Sequence, residues 1–155
     1  MSQKTIQTQK RKTIGDAAVD GLLAGILAGV CMAAYLVLAG LLTDIAPAVM
    51  LSHFDPRQTG NWLTGFVAHL AVSAVYGVIF ALLFLGLTRL RSAFLHWGWL
   101  VGLAYGLLLF GVAQAAFLTG VNSGLMQITA VNLLIAHVLY GVVLGYQMDR
   151  VVRSA

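Results

Sequence analysis

Long apolar runs separated by short polar islands organise this chain. Between Asp20 and Asp44 lie 23 residues without a charge, between Arg57 and Arg89 there are 31, and between Arg91 and Asp149 there are 57. A membrane-spanning helix needs about 20 mostly apolar residues, because each residue rises about 1.5 Å through a hydrocarbon core about 30 Å thick. The first two gaps therefore hold one helix each. The third suits two, with a break at Gly120-Val121-Asn122-Ser123-Gly124, its one turn-like stretch. The pattern predicts helices near 17–43, 62–87, 97–119 and 127–148. The runs far exceed strand length and lack period-two alternation, so spanning strands are not expected.

Composition supports the same solvent. Hydrophobic residues make up 60% of the 155 and charged residues 9%, against about 25% charged in soluble domains. The expected fold is all-α with four transmembrane helices. A basic segment (1–16) precedes the membrane domain (17–148), and a tail follows (149–155). The first apolar run is too long for a signal-peptide core of about 7–15 residues. A single cysteine, Cys31, makes no internal disulfide and reads as a small packed side chain.

The charges orient the helices. Lys4, Lys10, Arg11 and Lys12 precede the first helix, Arg89 and Arg91 join the second to the third, and Arg150 and Arg153 follow the fourth. Arg57 alone falls on the other side. The positive-inside rule then places both termini in the cytoplasm of a plasma-membrane protein. Trp62 marks the outer interface, and Trp97 and Trp99 the inner one. The basic N-terminal cluster reads as a topology signal and an anionic-lipid contact, not a nucleic-acid site.

Small residues recur every four positions. The first helix carries Ala17, Gly21, Gly25, Gly29 and Ala33, and the third carries Gly98, Gly102 and Gly106. The second carries His69, Ser73, Gly77 and Ala81, and the fourth His137, Gly141 and Gly145. Positions four apart share a helix face. Both halves thus read as a glycine-striped helix, an outer loop, and a helix with a histidine above small residues. This is the pattern of two tandem hairpins in parallel repeat about an axis along the membrane normal. Lipid supplies no hydrophobic drive for helix association, so GxxxG-type stripes point to close backbone packing. That packing is either within the chain or, at Gly21-Gly25-Gly29, against a partner subunit or a second copy.

The segment Ala136-His137-Val138-Leu139-Tyr140-Gly141-Val142-Val143-Leu144-Gly145 resembles the last-helix signature of a family of small four-helix prokaryotic membrane proteins of unknown function. The Gly-rich first helix, the histidine of the second and the Trp-Gly start of the third are similar too. The resemblance covers about residues 17–148. It implies a topology and supplies no catalytic residue.

Polar side chains within hydrocarbon are costly and mark candidate sites. Here they are His69, Ser73, Gln114, Asn132 and His137. Without a carboxylate beside them, both histidines are expected to be neutral, buried and hydrogen-bonded. They could also form a bis-His haem b or metal site. Counting back from the basic residues argues against that, since His137 lies 13 residues before Arg150 and His69 20 before Arg89. The implied depths are about 20 and 30 Å, and the two rings are expected apart. His53, Asp55 and Arg57 read as a solvated loop tip, in a loop where Pro47 and Pro56 bracket one or two helical turns. No G-x-S-x-G, P-loop or C-x-x-C motif occurs.

The sequence thus points to a non-enzymatic accessory or structural membrane subunit, with lipid and other membrane subunits or itself as partners and no cofactor. A haem-binding redox protein, perhaps in contact with quinone, is the next reading, and an oligomeric small-solute transporter or channel the third. The topology is directly testable. In a Cys31→Ser background, a cysteine at Gln58 should react with an impermeant maleimide from outside intact cells. Labelling only from the cytoplasmic side would reverse the orientation.

Overall fold

The computed structural model describes residues 13–91, 97–119 and 123–153. The basic cluster of residues 4–12 and residues 120–122 of the expected break lie outside the described residues. Among these residues five α-helices follow in order: α1 (Ile14–Leu41), α2 (Pro47–Ser52), α3 (Trp62–Leu90), α4 (Gly98–Leu118) and α5 (Ala130–Arg153). No strand occurs among the described residues. Helices α1, α3, α4 and α5 are long and apolar enough to cross a membrane. The protein is an all-helical, multi-pass membrane protein.

Local chemistry sets the ends. Thr13 caps α1, accepting from the Asp16 amide while the Asp16 carboxylate accepts from the Thr13 amide. This capping box satisfies amides that the first turn leaves unpaired, and α1 starts at residue 14 instead of 17. Asn61 caps α3 through the amides of Leu63 and Thr64. Pro47 opens α2, where its missing N–H costs nothing. The last helix starts later than its apolar pattern suggested, after a single 3-10 turn (Gly124–Gln127) capped by Ser123. It also runs further, to Arg153. Asp149 is buried, its Cβ lying where a side chain on Gly98 would sit, and it pairs with Arg153 at 2.6 Å. The charge expected to open the tail is instead held inside the helix.

Two antiparallel pairs form by backbone contact. A methyl group added at Gly25 would lie 2.5 Å from the Ser73 carbonyl oxygen, and one at Gly21 2.6 Å from that of Gly77. On the other pair, methyl groups at Gly102 and Gly106 would overlap the carbonyl oxygens of Gly141 and His137, and one at Gly145 that of Gly98. So α1 lies directly on α3, and α4 on α5. The pairs join through α1 and α5, around a core containing Ala28, Leu36, Phe80, Phe84, Ala136, Leu144 and Met148. By contrast, α3 and α4 scarcely touch.

This packing separates two kinds of glycine. Gly102→Ala should cost about 1–3 kcal/mol, the usual scale of overpacking, because backbone on both sides leaves nothing flexible to move. Gly111→Ala on the same helix meets nothing within 4 Å and should leave stability unchanged. Thermal unfolding of the two variants in one detergent compares them, and equal midpoints would contradict the backbone contact.

Candidate functional site

The gap between α3 and α4 is a cavity of about 470 Å³. Its walls are Ala68, His69, Val72, Ser73 and Tyr76 on α3, Leu109, Val112, Ala113 and Ala116 on α4, Leu133, His137 and Tyr140 on α5, and Met32 on α1. Tyrosines close one end. The Tyr140 hydroxyl donates to the Ser73 carbonyl at 2.7 Å, and the Tyr105 hydroxyl to that of Tyr76 at 2.9 Å. Phe80 packs against Tyr105 below them, with ring centroids 5.1 Å apart.

The other end is roofed by the connection between α1 and α3. Phe54 lies over His69, with ring centroids 4.4 Å apart. The backbone of His53 lies against Gly124, where an added methyl group would be 2.7 Å from the His53 carbonyl oxygen. Asp55 holds this turn together. One carboxylate oxygen accepts from the Arg57 amide, and the other from the Thr59 amide and hydroxyl and the Asn61 amide. Asp55 is only 2% exposed. Of the segment expected to be a solvated loop tip, residues 56–60 with Arg57 are exposed, whereas Asp55 is buried and, with His53, forms part of a structured roof, because one acid spends its acceptors on its own turn.

His69 and His137 face the same cavity. The depth count failed because α3 and α5 do not end at matching levels: α3 runs 21 residues past His69, to Leu90, and α5 only 16 past His137, to Arg153. The bond from Tyr140 to Ser73 sets the register, and His69 and His137, four and three residues before these, sit within about one helical turn of each other in depth.

Each ring is oriented by one backbone carbonyl. His69 Nε2 is 2.9 Å from the Gly29 oxygen, and His137 Nδ1 is 2.7 Å from that of Leu133. A carbonyl only accepts, so those nitrogens carry the hydrogens. In the neutral rings, His69 Nδ1 and His137 Nε2 are left with lone pairs and no hydrogen-bond partner among the described residues. No sealed side-chain nitrogen lacks a hydrogen bond among the described residues. These two nitrogens are therefore open to the cavity.

The remaining candidates lie elsewhere. Asn132 accepts from the Tyr35 hydroxyl at 3.2 Å and ties α5 to α1. Gln114 lies on α4 away from the cavity wall. The glycines at 21, 25, 29, 98, 102, 106, 141 and 145 pack within the chain. Met32, Phe54 and the three tyrosines were not singled out from the sequence. Their positions depend on which helices are neighbours, which periodicity does not give. Among the described residues no three His, Cys, Asp or Glu side chains form a metal-holding group.

A family model described as a family of unknown function, DUF6789, matches residues 16–155. The chain belongs to this family. No curated protein and no solved structure matches it. For this DUF6789 member, the cavity geometry thus stands in place of any inherited activity.

The roof carries a pH dependence. Burial holds the His53 imidazole below its ordinary 6.5. The Thr59 hydroxyl, helped by three backbone amides and opposed by desolvation, holds Asp55 below its ordinary 3.8. Both groups bind fewer protons folded than unfolded. Their stabilisation is complete above the ordinary values and disappears as pH falls through the folded ones. Hydrogen exchange over residues 50–59, corrected for intrinsic rates, should rise as pH falls from 7 to 5, and His53→Phe should remove this step. Unchanged protection in the wild type would refute it.

Proposed function

We propose that this protein binds a small, mostly apolar molecule inside the membrane, in the cavity between α3 and α4. The observation that carries this reading is the pair of open nitrogens on two carbonyl-oriented imidazoles in one largely apolar cavity. Pockets for small molecules are typically about 300–1,000 Å³, apolar, with a few convergent polar groups that fix orientation. Two hairpins in tandem repeat, with both termini cytoplasmic and the roof outside, are the arrangement we assign to the plasma membrane. Segregation of the basic residues supports this orientation, and the matched glycine crossings support the repeat.

An accessory role through the Gly21-Gly25-Gly29 stripe loses its main support, because α3 already covers that stripe. A bis-imidazole haem would use the same two nitrogens. Its propionates would want cationic partners, and among the described residues no Lys or Arg lines the cavity.

The test is what the protein carries. Protein purified in mild detergent should release a small organic-soluble molecule that Ala113→Phe lacks, since that ring fills the cavity without touching the glycine crossings. Identical extracts from the two proteins would refute the reading, and absorbance in the Soret region would replace it with haem.

A further inference from the structure

The cavity is polar on one side and apolar on the other. His69, Ser73 and Tyr76 line it from α3, and His137 and Tyr140 from α5. The α4 wall offers only Leu109, Val112, Ala113 and Ala116. A hydroxyl donates or accepts, and a neutral imidazole nitrogen without hydrogen accepts. The polar side therefore suits a ligand alcohol or a carbonyl alike, while α4 meets a face that needs no hydrogen bond.

Fixed charge is poorly served. Among the described residues no Lys, Arg or Glu lines the cavity. Asp55 lines it, but both carboxylate oxygens are engaged by Arg57, Thr59 and Asn61 in its own turn. A charged ligand would enter a largely apolar chamber without a free counter-charge, which is costly.

The gap between the helices gives the route in. Helices α3 and α4 scarcely touch. Val72 on α3 and Val112 on α4 both line the cavity, yet they are 54% and 51% exposed. Ala68 and Ala116, one turn from each and on the same faces, also line it and add little bulk. Both helices are long and apolar enough to span the membrane, so this gap faces lipid. At the roofed end, Phe54 covers His69 and Asp55 ties down the turn.

We infer that the cavity is loaded from the bilayer, through a lateral portal between Val72 and Val112, with an uncharged amphipathic molecule. The inference rests on the cavity being a ligand site. The ligand lies with its apolar face on α4 and its polar group toward the histidines of α3 and α5. Lipid therefore supplies the ligand, and the protein selects against charge.

The experiment uses the full chain in lipid nanodiscs and two photoreactive probes of similar size. One is a benzyl alcohol bearing a trifluoromethyl diazirine, and the other is its benzyltrimethylammonium analogue. Peptide mass spectrometry after illumination locates the adducts. The alcohol should label His137 and Tyr140, and the cation should label them about a hundredfold less, the scale of a charge placed in hydrocarbon. This wild-type comparison needs no variant to fold. The portal is tested with Val72→Cys and Val112→Cys together in a Cys31→Ser background, bridged by a reducible bifunctional thiol reagent. Bridging before the alcohol is added should abolish labelling of His137 and Tyr140 while sparing Leu108, which is 61% exposed. Reductant should restore it, so the unbridged protein is its own control. Cavity labelling that survives the bridge, or that is as strong with the cation as with the alcohol, would overturn the inference. Absence of cavity labelling by both probes would overturn it too. In that case the cavity remains a site if the wild type still releases a molecule that Ala113→Phe lacks, and otherwise both readings fall.

Discussion

Backbone lying directly on backbone at two helix crossings sets the architecture. In a bilayer, lipid tails are as apolar as leucine, so burying leucine against leucine gains little. Close approach gains dispersion contact, and only glycine permits it. Gly25 against Ser73 and Gly77, and Gly102 against Gly141 and Gly145, draw the four spans into two tight pairs. Each pair then behaves as a unit. Their larger side chains meet across α1 and α5, where Leu36, Phe80 and Leu144 fill the space. The other side, between α3 and α4, is left apart, and that gap is the cavity.

Much of this was legible along the chain. Uncharged gaps between Asp20, Arg57, Arg91 and Asp149 located the spans, and four-residue spacing identified the glycine faces. The ends were less legible. Thr13 with Asp16 and Asp149 with Arg153 bring charged residues into helices through local pairing, where charge alone suggests a boundary. The level of the histidines was misread for the same reason: counting from Arg89 and Arg150 treats both as bilayer edges. The register is fixed by a hydroxyl on Tyr140 reaching a carbonyl on α3, a contact between residues 67 apart in sequence. No local pattern encodes it.

The two histidines show how backbone groups tune a side chain's chemistry. Gly29 lacks a side chain that would shield its carbonyl from α3, so the contact that packs α1 on α3 also presents an acceptor to His69 Nε2. The Leu133 carbonyl does the same for His137 from within its own helix. Packing and polarity are thus coupled. The glycine faces that close each pair also decide, at His69, which nitrogen looks into the gap.

Every hydrogen bond that Asp55 accepts comes from a residue within six positions of it. The closure entropy of such a short loop is small, and none of these bonds needs a neighbouring helix. The turn at the roof of the cavity can therefore form without α4 or α5 beside it. Gly124 of the second hairpin meets the roof at His53. The cover is a self-contained piece, and the chamber beneath it exists only once both hairpins are in place.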